Sequence, residues 1–206
     1  MMWEAHTGEY SQLLIKIFHG CAYTIHSFEP SQTAFSNLIK NMKDYPAVLA
    51  YNLAVGRKSY QTLLLNSGSK IAALARWDEQ AGESSQSGES VRVINLDSFC
   101  NEQGIEQIDF LKIDVEGYEY EVLEGAQTLL HDERIHFIQF EFGYASVLSQ
   151  SGRYFRDYYK LLAHKFYIYR IVKDGLVLLG EPSAWDEIYV GGNFLAERKH
   201  KLTNYS

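Results

Sequence analysis

Apolar side chains at Tyr10, Leu13, Leu14 and Ile17 recur at the spacing of one helix face, and Phe35, Leu38, Ile39 and Met42 repeat the pattern. Residues 22–28 between them are rich in β-branched and aromatic side chains, which favours a strand. Residues 47–55, after Pro46, read as a further strand. The apolar runs Ile108–Ile113 and Ile135–Phe142 flank a helix marked by Val122, Leu123, Ala126 and Leu130, and this strand-helix-strand order predicts a parallel sheet. Phe155, Tyr158, Tyr159 and Leu162 mark another helix face. Residues 166–172 and 176–179, joined through Asp174-Gly175, predict a hairpin. A last strand over 187–194 is expected at this antiparallel end, with Gly191-Gly192 allowing a bulge or local bend. Residues 80–90 are Gly, Ser and Glu rich without an apolar period and predict a mobile loop.

With 206 residues, 46% of them hydrophobic, the chain has enough material for one core, and a single domain over 1–206 is expected. The net charge of -7 opposes a general nucleic-acid binder, which would cluster Lys and Arg against phosphates. A small or neutral partner fits better. Cys21 and Cys100 stand alone, so neither a disulfide framework nor paired zinc spacing is present, and both are expected to be small buried residues. The N-terminus lacks a signal-peptide pattern, and no run approaches the roughly 20 apolar residues of a membrane span. A soluble cytoplasmic protein is the expectation; the pattern leaves the oligomeric state open.

Thr7-Gly8-Glu9-Tyr10 enters the first helix, and Glu29 follows Gly8 by 21 positions at the end of the next strand. An acidic residue about 20 positions beyond a glycine turn suits a ribose diol, because a carboxylate accepts from both hydroxyls. The competing reading is that Glu29 caps the helix after it.

The stretch 109–126 carries Lys112-Ile113-Asp114-Val115-Glu116-Gly117 and then Leu123-Glu124-Gly125-Ala126. It resembles the signature of FkbM-family methyltransferases, and Phe28-Glu29-Pro30, residues 52–56 and Asn193-Phe194-Leu195-Ala196 resemble the same family in the same order. The resemblance implies an α/β, Rossmann-like class I methyltransferase fold, mostly parallel with antiparallel C-terminal strands. It also implies S-adenosyl-L-methionine as cofactor and methyl transfer to an oxygen, often on a sugar-containing or secondary-metabolite acceptor. By the same resemblance Gly8 approaches the methionine part, Glu29 the ribose, and Asn52, Leu53 and Ala54 the adenine rim.

Asp114 and Glu116 fall at the C-terminal end of a predicted parallel strand, and Glu141 ends the next, the edge where open α/β sheets place ligands. A sugar hydroxyl is a poor nucleophile near neutral pH, so a base is needed, and these three carboxylates are the catalytic candidates. Asp114 or Glu116 also suits the cofactor ammonium, with Glu116 alternatively serving the following helix. The trio could hold Mg2+, but binding acceptor hydroxyls is the preferred reading and no metal is assigned. His131 and His136 are read as structural or exposed, with His136 an outside candidate for the base. Arg153 to Tyr159 is read as core packing plus a solvated face.

The family's first loop, Asp-x-Gly-Ala-Asn-x-Gly, aligns with residues 2–8, where only Ala5 and Gly8 agree. Glu4 stands in place of a glycine, and its charge opposes a carboxylate ligand. The first strand is expected to be short or missing, with a fragment of an active enzyme favoured over a chain that has lost catalysis. The alternatives are a catalytically inactive binding module and, from another enzyme class, a nicotinamide-dependent oxidoreductase; antiparallel strands after Asp174-Gly175 would favour the methyltransferase.

Overall fold

The computed structural model describes residues 6–65, 73–74, 88–148, 152–187 and 191–199. Helix α1 (Glu9–Ile17) leads to strand β1 (Ile25–Phe28), helix α2 (Gln32–Met42) and strand β2 (Val48–Tyr51). Strands β3 (Ala54–Val55), β4 (Tyr60–Leu65), β5 (Ala73–Leu74) and β6 (Glu89–Ile94) precede helix α3 (Leu96–Glu102). Strand β7 (Ile108–Ile113), helices α4 (Glu119–Glu124) and α5 (Gln127–His131), and strand β8 (Ile135–Phe142) form the predicted parallel unit. Helices α6 (Tyr144–Leu148) and α7 (Phe155–Leu162) lead to strands β9 (Phe166–Val172), β10 (Gly175–Leu178) and β11 (Gly192–Arg198).

Five strands form one sheet in the order β10-β9-β11-β8-β7, with β7 and β8 parallel and the rest antiparallel. Strands β1 and β2 pair in parallel, and β3-β6-β4-β5 make a separate mixed sheet. The hairpin at Asp174-Gly175 forms as its turn chemistry predicts, with Gly175 at φ 144°. The fold is α/β, with parallel pairs β1-β2 and β7-β8 and antiparallel strands toward its C-terminal end, as expected.

Several elements differ from the pattern. Residues 47–55 divide into β2 and β3, which join different sheets, because Asn52 turns the chain by donating to the carbonyls of Glu29 (2.9 Å) and Pro30 (2.9 Å). The expected helix across 122–130 breaks at Gly125: Asp97 accepts from the amides of Thr128 (2.8 Å) and Leu129 (3.0 Å) and so starts α5 afresh. The last strand begins at Gly192 rather than at Glu187, whose carboxylate instead accepts from the amides of Phe155 (2.7 Å) and Arg156 (3.1 Å) and caps α7. Gly192 pairs with Phe142 and Asn193 with Glu141 in unbroken register, so no bulge forms there. Residues 80–87 of the expected loop lie outside the described residues, and Glu89 already belongs to β6. The expectation of a short or missing first strand falls on residues 1–5, also outside them.

The main core sits between β7, β8 and β11 and the helices over them. Phe140 stacks on Tyr158 at 5.2 Å and Phe155 tilts against Phe194 at 4.6 Å. Each such side chain, once fully buried, contributes about 1.5–3 kcal/mol. Phe28, Tyr51 and Phe99 form a second aromatic knot that ties β1 and β2 to α3. Cys100 is buried as expected, its thiol pushed up to about 11 by burial, whereas Cys21 is exposed, contrary to expectation.

The amides of Ile25 and Glu29 bond to the β2 side and that of Ile108 to the β8 side. By alternation His26, Phe28, Asp109, Leu111 and Ile113 present their backbone groups to the opposite side. A cavity of about 530 Å³ lies between the N-terminal ends of β1 and β7, lined by Ile25, His26, Ile108 and Phe110 with Leu14 of α1 and Phe18 just after it. At the other ends the loop before α1 reaches Glu29 through the His6 amide, and α1 itself reaches β8 through Tyr10 to Gln139. Strands β1, β2, β7 and β8 therefore point the same way, and their C-terminal ends make one edge.

Gly125 packs against Gly56 so closely that a Cβ on Gly125 would lie 2.1 Å from the Gly56 carbonyl oxygen. Gly125→Ala should cost about 2 kcal/mol or more, since backbone must shift to admit the methyl. Urea unfolding of the two proteins checks this, and equal midpoints would contradict the contact.

Candidate active site

Alternation along β7 puts Lys112 and Asp114 on one face, and Lys112 Nζ donates to Asp114 Oδ2 at 2.6 Å. Lys112 is only 7% exposed, so its charge is largely out of water and needs this partner. Its ammonium also lies 5.2 Å from the centre of the Tyr10 ring. Tyr10 OH donates to Gln139 Oε1 (3.1 Å), and Gln139 Nε2 donates to Asn193 Oδ1 (3.1 Å), which joins α1, β8 and β11 across the edge.

Glu141 stands beside Asp114, and both it and Glu116 feel the Asp114 charge, so the structure brings the three predicted carboxylates together. Burial holds Glu141 above the ordinary carboxylate range, and the charges of Asp114 and Glu116 push in the same direction. Burial, then Asp114, raises Glu116 as well. Lys112 opposes this rise at Glu141, more weakly than burial and the two acids favour it. Gly191 makes room for this group: a Cβ there would lie 2.9 Å from Glu141 Oε1.

The chain turns sharply after Asp114. Glu116 adopts φ 50° and Gly117 φ 103°, left-handed conformations of which the first is uncommon for a residue with a side chain. Glu119, buried at the start of α4, accepts from the amides of Val115 and Gly117, both at 3.1 Å, through Oε1.

The expected cofactor residues divide. Glu29 is 3% exposed, and its two oxygens accept from the amides of His6 (Oε2, 2.9 Å) and Ser31 (Oε1, 2.9 Å). It thus ties the start of α2 to the loop before α1, with one lone pair per oxygen left over, and burial raises its pKa. Gly8, at φ 91°, is required for packing: a Cβ would lie 2.9 Å from Met42 Cε and 3.0 Å from Leu38 Cδ1. Asn52 spends both amide hydrogens on the turn after β1, and the side chains of Leu53 and Ala54 enter core clusters. Any contact from Leu53 or Ala54 at the edge is therefore by backbone.

His136 lies at the start of β8, at the opposite end from Glu141, with its Nε2 2.7 Å from Gln107 Nε2, which removes it as a base. His131 is exposed beside Asp132. In the Arg153 to Tyr159 stretch Phe155 and Tyr158 are core residues, while the Arg153 guanidinium stacks on Tyr120 at 4.4 Å. Among the described residues no three His, Cys, Asp or Glu side chains are arranged to hold a metal ion. No helix among them is long and apolar enough to cross a membrane.

A sequence model described as the methyltransferase FkbM domain matches residues 4–169. The chain belongs to the FkbM methyltransferase family. In fold this FkbM domain is similar to the crystal structure of methyltransferase FkbM from Methylobacillus flagellatus KT, at TM-score 0.55 and 14% identity over 95% of this chain. The domain spans 42% of that protein's chain. Precorrin-6y C5,15-methyltransferase from Geobacter metallireducens GS-15 aligns at TM-score 0.45 and 10% identity, covering 96% of this chain and 78% of its own. A human methyltransferase 10 domain containing protein aligns at TM-score 0.45 and 10% identity, covering 97% and 71%. No curated protein matches.

The residues that pattern reading missed are Lys112, Tyr10, Gln139 and Asn193. Lys112 was legible in the alternation of β7; the others depend on which helix crosses the edge.

Burial lifts Glu119 and Glu121 to about 7 from an ordinary 4.5. Folding therefore takes up protons between those values, and stability present below pH about 4.5 declines as pH rises through about 7. Urea titrations across this range should show that decline, with a shallower slope in Glu121→Gln. A slope unchanged by the substitution would exclude Glu121 as a source.

Proposed function

We propose that the FkbM domain transfers a methyl group from S-adenosyl-L-methionine to a hydroxyl of a small or glycan-like acceptor in the cytoplasm, with Glu141 as the base. The observation that carries this reading is the Asp114–Glu141 carboxyl pair at the C-terminal edge, with Lys112 bonded to Asp114.

The edge suits the cofactor chemically. It offers carboxylates to a ligand that carries a sulfonium, an ammonium and a ribose diol. Glu29 would serve the diol through its remaining lone pairs, Asp114 the ammonium, the turn at Gly8 the methionine part, and the chain at Asn52, Leu53 and Ala54 the adenine. S-adenosyl-L-methionine supplies an electrophilic methyl group when bound.

Glu141 has a defined part in this scheme. Burial, then the charges of Asp114 and Glu116, hold its pKa above the ordinary carboxylate range, so it keeps its proton to higher pH than an ordinary carboxyl. Once ionised, it is a stronger base than an ordinary carboxylate because its pKa is raised, and it accepts the proton of the acceptor hydroxyl. Glu116 binds a second hydroxyl of the acceptor. Attack then needs alignment and exclusion of water, and no covalent enzyme intermediate. The acidic chain favours neutral or cationic acceptors over nucleic acid.

Calorimetry of this chain with S-adenosyl-L-methionine and S-adenosylhomocysteine tests the cofactor; no heat from either overturns the reading. With a competent acceptor, Glu141→Gln should lower kcat by about 10²-fold or more and remove the acid limb of the pH profile. Retention of that limb would assign the base elsewhere.

A further inference from the structure

Glu119 takes no direct part in the scheme above, yet it is the most deeply buried carboxyl at this edge, at 2% exposure. Oε1 spans two backbone amides, Val115 and Gly117, while Oε2 is buried with no hydrogen-bond partner among the described residues. Burying a carboxyl with one oxygen unpartnered is costly, and a helix start alone does not require it. The two amides belong to the turn that swings Asp114 and Glu116 into the edge, and between them Glu116 sits at φ 50°. A left-handed residue with a side chain persists where surrounding bonds over-determine it, and the paired amide bonds to Glu119 do so here.

We infer that Glu119 is a positioning residue: its carboxyl clamps the Val115–Gly117 turn and thereby sets where Asp114 and Glu116 stand. The functional part of this inference rests on the proposed methyl transfer; the clamp itself does not. Gln keeps an acceptor oxygen at the position of Oε1, with similar volume. Leu keeps the volume and offers no acceptor. Asp keeps the charge but is one methylene shorter and cannot span both amides.

Amide hydrogen exchange measured by NMR on the whole chain separates clamping from general stability. In Glu119→Leu the Val115 and Gly117 amides should exchange at least about 10-fold faster relative to those of Ile108 and Phe110, which bond to the β8 side, and in Glu119→Gln within about 3-fold of the parent. If the Leu variant fails to fold, Glu119→Asp takes its place with the same expectation. Affinity for S-adenosylhomocysteine should fall about 10-fold in the Leu or Asp variant and recover in Gln. Uniform acceleration along β7, or unchanged exchange at Val115 and Gly117, would overturn the clamp, and so would local loosening that leaves affinity unaltered. A parent chain that binds no S-adenosylhomocysteine removes the cofactor reading instead, and the exchange comparison still decides the clamp.

Discussion

The ion pair between Lys112 and Asp114 at the end of β7 is the contact on which the edge depends. An ammonium 7% exposed needs an opposite charge beside it, and removing Asp114 would leave that charge buried without its partner. The pair also stands beside Glu141, the base of the proposed transfer. Tyr10 completes the arrangement by placing the face of its ring near the ammonium while its hydroxyl bonds Gln139, so α1 is fastened to the edge through the same group.

Glycines and buried acids shape the rest of the edge. Gly8, Gly125 and Gly191 each stand where a methyl group would meet a neighbour within 3 Å: a side chain of α2, the Gly56 carbonyl and the Glu141 carboxyl. Each bare backbone lets two elements approach. Glu29 and Glu119 do the complementary work, each tying together two backbone amides from segments that would otherwise leave them unpaired. These acids are structural ties first. That explains why a carboxylate at the cofactor spacing, Glu29, is almost fully covered.

Much of this was legible beforehand. The strand-helix-strand unit, the hairpin and the helices carry strong apolar periods, because each buries one face against the same core, and burial imposes the period of the element. The short mixed sheet was not legible: β4 and β6 pair through residues whose side chains alternate between exposed and buried only where the partner strand is present. The break at Gly125 was hidden for a related reason. Its cause, Asp97 on α3, lies about thirty positions away in sequence.

The residues Asp114, Glu116 and Glu141 and their placement at strand ends were set by the sequence alone, since strand period and length determine where a chain emerges from a sheet. Family membership rests on the match over residues 4–169. Tertiary structure alone decided that these acids meet, that Lys112 pairs with Asp114, that Leu53 and Ala54 turn inward and that Glu187 caps α7. Charge interactions and close packing depend on distances between segments remote in sequence, and no local pattern encodes those distances.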